Sequence, residues 1–288
     1  RDDDALQDIL VADTHDLLLF FTNRGRVYHL KSFGIPADVS RTTRGTSVIN
    51  LMRLGPGERI SAMVAVNDLR SAGVLAMATM RGEIKAMEVS NLANIRSAGL
   101  IAMDLEPEDE LVSVRLGTGE EDVMVVTQKG QGVRFQLAEL RSRSRAAGGV
   151  RGIRLTPDDK LVGMEIVKND DILLVVTRLG FGKLVQISRF RRQQRGGMGT
   201  RAFKANSKTG LVAGARVVHK NRDDEVMLVS EQCQVFRTNL NEISLQGRNT
   251  RGIIIWRPDG GDEVASIACL RDTESAPESN GAGQKAAA

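Results

Sequence analysis

The chain has 288 residues, a formal net charge of +4 and 3% aromatic residues. That length suits one large all-β domain or two ordinary domains, and so few aromatics argue against base stacking as the main device for holding nucleic acid. No run approaches the ~18 apolar residues of a membrane span, and Cys233 and Cys269, far apart and without metal-ligand spacing, read as free thiols of a reducing compartment.

In chain order, the first predicted element is an apolar run from Leu17 that reaches a tight turn at Gly25 and continues as a second extended run through Tyr28. The same pattern returns with turns at Gly82, Gly130, Gly180 and Cys233, at intervals of 57, 48, 50 and 53 residues. A Gly step follows each turn, at Arg44-Gly45, Ala98-Gly99, Arg151-Gly152, Gly197 to Gly199 and Arg251-Gly252. A Pro-acidic turn then follows in four copies, at Pro56, Pro107, Pro157 and Pro258, and Asn206 to Gly210 replaces it in the fourth copy.

The unit reads as β. Its apolar runs are short, rich in Val, Leu and Ile, and bounded by Gly, Asn, Asp or Pro, and a turn glycine permits the positive φ of a tight hairpin. No long window keeps a 3.6-residue apolar period, so no substantial helix is expected. Units of about 50 residues with about four short strands are blades of a propeller-like disc. The predicted architecture is all-β, about five four-stranded blades, with repeats over roughly 8–64, 65–112, 113–162, 163–213 and 214–270. The segment 271–288, rich in Ser, Gly, Ala and Glu, is expected to be disordered.

Charge follows the repeat. The windows 31–45, 85–99, 134–154, 183–204 and 237–251 hold 21 basic and four acidic residues, while the remainder of the chain is net acidic. Loops in phase with the blades become a basic rim. A polyanion long enough to visit several blades is the natural partner, which points to duplex nucleic acid read through its phosphates and groove shape. The candidate contacts are Arg41, Arg44, Arg96, Arg141, Arg143, Arg145, Arg151, Arg189, Arg191, Arg192, Gln194, Arg195, Gly196, Gly197, Gly199, Arg201, Lys204, Arg248 and Arg251. The arginines supply charge and bidentate contacts, and the glycines let backbone N–H groups approach a phosphate.

The densest loop, Gln194-Arg-Gly-Gly-Met-Gly199, resembles the Gln-Arg-Gly-Gly-Lys/Arg-Gly box of the C-terminal domain of the gyrase A protein, part of a type IIA DNA topoisomerase. The stretch from Arg1-Asp-Asp-Asp through Lys31, Ser40 to Thr46 and Leu54 to Glu58 are similar to that domain too, and the resemblance extends over about residues 1–270. It implies a β-pinwheel whose neighbouring blades exchange strands and around which duplex DNA wraps, conferring negative supercoiling on an ATP-dependent enzyme. It also implies that gyrase B and a second gyrase A chain are partners in an A2B2 assembly in the bacterial cytoplasm, without a membrane. No cofactor is expected in this chain, ATP and Mg2+ being bound elsewhere in the assembly. Two departures bear on this. The family's principal box lies upstream of the Arg-Asp-Asp-Asp match, so the first of six blades is expected to be missing. Met198 stands where the box usually carries Lys or Arg.

Catalysis within this chain is not expected. Tyr28, the one tyrosine, follows a hairpin turn and reads as structural, His15, His29 and His219 lack metal spacing, and Thr14-His15-Asp16 is adjacency rather than a triad. The rival readings are the homologous C-terminal domain of topoisomerase IV and a protein-binding β-propeller scaffold, the latter needing an apolar patch that this composition does not favour.

Overall fold

The computed structural model describes residues 9–36, 46–70, 72–96, 98–218 and 225–270. Arg41, Arg44, His219 and the segment 271–288 lie outside the described residues.

Five antiparallel sheets follow one another along the chain. Each is built on a hairpin: Leu17–Thr22 with Arg26–Lys31, Val74–Thr79 with Glu83–Glu88, Asp122–Thr127 with Gln131–Gln136, Ile172–Thr177 with Phe181–Gln186, and Glu225–Ser230 with Val235–Asn239. An inner strand lies against the first hairpin strand of each sheet: Ile60–Val66, Leu111–Gly117, Leu161–Val167, Val212–Val218 and Val264–Leu270. Residues of all five inner strands line one central cavity of about 480 Å³.

The fourth strand comes from the next repeat. Leu100–Ile101 pairs with the first hairpin, Val150–Arg151 with the second, Thr200–Arg201 with the third and Ile253–Ile254 with the fourth. Neighbouring blades therefore exchange strands. The fifth sheet has three strands among the described residues.

The hairpin strands are apolar on both faces because both faces are covered. Leu75 and Met77 pack with Leu19 and Phe21 of the first blade, while the alternate residues Ala76 and Ala78 pack with Val123 and Val125 of the third. Met124 and Val126 meet Leu173 and Val175, and Leu174 and Val176 meet Val226 and Leu228. Each of these four cores is thus shared by two adjacent blades, while a fifth, around Leu18, Phe20, Tyr28 and Met52, belongs to the first blade alone. Full burial of one large apolar side chain contributes about 2 kcal/mol. Among the described residues helix is confined to one α-turn at Val48–Leu51 and to 3-10 turns, five of which each follow a second hairpin strand.

The turn glycines answer to a close approach as well as to their φ. Gly25, Gly82, Gly130 and Gly180 have φ between +71° and +84°. Each carbonyl accepts two N–H groups from the chain just past the exchanged strand, for example from Ile255 and Trp256 at Gly180. At Gly180 a Cβ would overlap the carbonyl of Trp256. Cys233, with φ +65°, occupies this position in the blade that has no exchanged strand among the described residues.

Candidate nucleic-acid interface

Strand exchange dictates where the basic loops run. From the second repeat onward, each loop leaves the second hairpin strand of its own blade, crosses to the preceding blade and lies along that blade's outer edge. The loop of the third repeat bridges to the second blade at Ser142 and Ala86 before Val150–Arg151 pairs there. The loop of the fourth repeat does the same on the third blade, at Arg192 and Arg134. The loop of the fifth repeat follows on the fourth blade, at Leu245 and Leu184. These loops are therefore the rim of the disc at three successive blades.

The loops also join end to end. Backbone N–H groups of Asp104, Arg154 and Lys204 donate to carbonyls of Ala147, Gly197 and Thr250 in the next loop. The Gly196 N–H donates to the Gly152 carbonyl and the Arg195 guanidinium to the Arg151 carbonyl. Arg201 donates to the Asn249 side chain, while Arg248 donates to the Arg201 carbonyl. The rim is one hydrogen-bonded track rather than separate hairpin tips.

Arg141, Arg143, Arg145, Arg151, Arg189, Arg191, Arg195, Arg201, Lys204 and Arg251 are exposed on this track, as is Gln194, and Arg248 is half-buried. None of these cations forms an ion pair among the described residues. Gly196 and Gly199 have positive φ, and Gly197 lies between them in the same loop. Arg189, Arg191 and Arg248 line one pocket with Gln193 and Thr200. One blade earlier, Arg141, Arg143 and Arg195 line another. Arg195 and Arg248 hold equivalent places in their repeats, so each seat takes two arginines from one loop and one from the next. Converging guanidinium groups suit an anion such as a phosphate; the seat of Arg189, Arg191 and Arg248 has no carboxylate in its lining, whereas Glu139 lines the seat of Arg141, Arg143 and Arg195. Arg96 is exposed on the loop of the second repeat, which runs along the first blade and carries fewer cations.

Arg192 is engaged differently. Its Nε donates to Asp122 Oδ2 at 2.8 Å, the same oxygen that receives Arg134 Nε and Nη2 at 2.6 Å. Asp122 is 1% exposed. Arg134 Nη1 donates on to the carbonyls of Ile187 and Phe190, so this cluster fastens the fourth-repeat loop to the third blade. Three cations of the basic windows, Lys85, Arg134 and Lys183, are buried and are not part of the rim surface. Conversely, Arg154 is exposed on the rim, and sequence reasoning missed it although it occupies the repeat position of Lys204.

The acidic turns serve the hairpins. The carboxylates of Asp109, Asp159 and Asp262 accept the backbone N–H of Arg81, Lys129 and Gln232 at the tight turns. Burial opposes ionisation of Asp262, but hydrogen bonds from the Ser230 side chain and from the backbone N–H groups of Glu263, Gln232 and Glu231 outweigh it and hold the carboxyl below the usual carboxylate range. Tyr28 is buried, and its hydroxyl donates to the Arg53 carbonyl at 3.0 Å. Among the described residues no group of three His, Cys, Asp or Glu side chains could hold a metal, and no helix is long and apolar enough to cross a membrane.

Comparison with known proteins gives the same architecture. The family described as "DNA gyrase C-terminal domain, beta-propeller" matches residues 16–67, 74–116, 121–168, 171–219 and 224–271, one match per blade. The chain is 40% identical over 276 residues to the gyrase A protein of Dehalogenimonas lykanthroporepellens, covering 94% of this chain and 34% of the relative. It is 34% identical over 267 residues to that of Escherichia coli K12, covering 93% and 30%. The chain thus spans about a third of the length of these relatives. Among solved structures, the DNA gyrase A C-terminal domain superposes with a TM-score of 0.77 at 28% identity, over 90% of this chain and 84% of that one. The C-terminal domain of DNA topoisomerase IV shares the fold, with a TM-score of 0.79 at 23% identity over 89% and 79%. A five-fold repeat of exchanged blades, matched blade by blade and across nearly its whole length, means that this chain belongs to the DNA gyrase C-terminal domain family.

Proposed function

We propose that this chain binds duplex DNA along its rim and bends it around the disc, serving a gyrase as a non-catalytic module that directs supercoiling. The observation that carries this reading is the hydrogen-bonded track of unpaired arginines crossing three successive blades, with arginine seats repeated from one blade to the next. The contacts proposed are the rim residues named above, with Arg192 acting through Asp122. In the whole protein the chain would work beside gyrase B and a second gyrase A chain, with ATP consumed elsewhere. Bending DNA through a half turn at a radius of about 34 Å costs on the order of 14 kcal/mol. Each phosphate contact returns about 1 kcal/mol near 0.1 M salt. About a dozen contacts are needed, so the complex should be strongly salt-sensitive.

The test is a salt titration of binding to a labelled duplex. Replacing Arg189, Arg191 and Arg248 together with Ala should lower affinity and reduce the slope of log K against log salt by about 0.9 for each phosphate no longer neutralised. Arg59→Ala is the control, because Arg59 lines the central cavity and pairs with Glu110. An unchanged slope in the triple variant, or a slope near zero in the wild-type chain, would overturn the reading.

A further inference from the structure

We propose that Lys85 and Lys183 are positioning residues for DNA binding: each holds the basic loop of the following repeat in the shape that presents its arginines, without touching DNA itself. The inference rests on the DNA-binding reading above.

Lys85 is 1% exposed and Lys183 fully buried. An ammonium has three donors, and both lysines direct theirs at backbone carbonyls. Lys85 Nζ donates to Arg145 at 2.7 Å and Ala147 at 2.9 Å in the third-repeat loop, and to Ala102 at 2.7 Å beyond the outer strand of the first blade. Lys183 Nζ donates to Gly247 and Arg248 at 2.8 Å and to Thr250 at 3.0 Å in the fifth-repeat loop, with the Phe203 ring 5.0 Å away. Arg145 and Arg248 occupy equivalent repeat positions, so both lysines hold the same point of their loops. The third blade reaches a similar end by another route, with Arg134 bound to the carbonyls of Ile187 and Phe190.

A buried ammonium costs several kcal/mol unless its hydrogen bonds are made, and neither lysine is ion-paired to a carboxylate among the described residues. Leucine would fill the same space without that cost. What the ammonium adds is convergence: it draws carbonyls of one loop to a single point and turns that loop's side chains outward. Burial pushes both lysines down to about 8; Arg143 adds to the shift at Lys85 and Asp104 opposes it. Glu139, Arg141 and Arg195 line the same pocket as Lys85. At pH 7 both ammonium groups are charged, and above pH 8 each would lose a donor while the arginines stay protonated.

The experiment compares the wild-type chain with Lys85→Met and Lys183→Met. Each variant should weaken duplex binding about tenfold, equivalent to about 1.4 kcal/mol. Each should also lower the salt slope, although a buried residue contacts no phosphate, and speed amide exchange in loop 141–150 or 245–252. Combined with Arg145→Ala, Lys85→Met should cost less than the sum of the two. Wild-type affinity should fall between pH 7 and 9.5. Wild-type slope and loop exchange in folded variants would overturn the proposal, and so would a flat wild-type pH profile if the variants failed to fold. A wild-type chain that binds no duplex would defeat the DNA reading alone, since loop exchange still reports whether the lysines hold the loops.

Discussion

Replacing Gly180 with Ala should unfasten the outer strand of the fourth blade. Gly180 has φ +75°, where a non-glycine residue costs about 1 kcal/mol. A Cβ there would also overlap the Trp256 carbonyl. Relief requires moving the chain whose Ile255 and Trp256 N–H groups donate to Gly180 and whose Ile253–Ile254 pairs with Phe181 and Gly182. About three backbone hydrogen bonds are at risk, at about 1 kcal/mol each, so the total loss is on the order of 4 kcal/mol. Gly260 is the internal control: its φ is +67°, but nothing lies within 4 Å of its Cβ position, so Gly260→Ala should cost only about 1 kcal/mol. Urea unfolding gives the two stabilities, and amide exchange at 253–256 locates the damage. Equal losses for the two variants would refute the idea that strand exchange requires the turn glycine.

Cys233→Gly should stabilise the fifth blade by about 0.5 kcal/mol, the relief of positive φ slightly exceeding the entropy of the added glycine; a lower urea midpoint would contradict this. Asp122→Asn should cost about 3 kcal/mol, because it strands the buried Arg134 guanidinium. Removing both charges with Arg134→Met should recover much of that loss in the same unfolding assay. Lys85 and Lys183 have folded values of about 8, below the usual 10.5. Their contribution to stability is therefore unfavourable below pH 8 and is relieved as pH rises from 8 to 10.5. Unfolding free energies of wild type and the Met variants across that range should converge, and any loss of DNA binding above pH 8 should occur without loss of fold.

The blades were legible because their signal is strong at short range. Strands such as Leu75 to Thr79 are apolar on both faces, and each hairpin turns at a residue with positive φ. The arginine-rich loops were legible from phase alone. The exchanged strands carry no such signal, since two residues such as Thr200–Arg201 cannot show a period, and they entered only through the family resemblance. Counting charge also could not separate the rim from what lies beneath it. Lys85, Arg134 and Lys183 fall in basic windows yet are buried, because their partners are backbone carbonyls and Asp122, which no linear pattern reveals. Arg192 looked like its neighbours but is tied to a carboxylate 70 residues away. Arg154 could have been found by carrying the Lys204 position back one repeat.

Whether the rim wraps DNA rather than only binding it is tested most directly by plasmid topology. Relaxed circular DNA is incubated with the chain, treated with a nicking-closing topoisomerase and stripped of protein. Wrapping around the rim predicts a shift to positive linking number in low salt that vanishes in high salt. An unchanged linking number under conditions where the plasmid is fully bound would contradict wrapping by this chain.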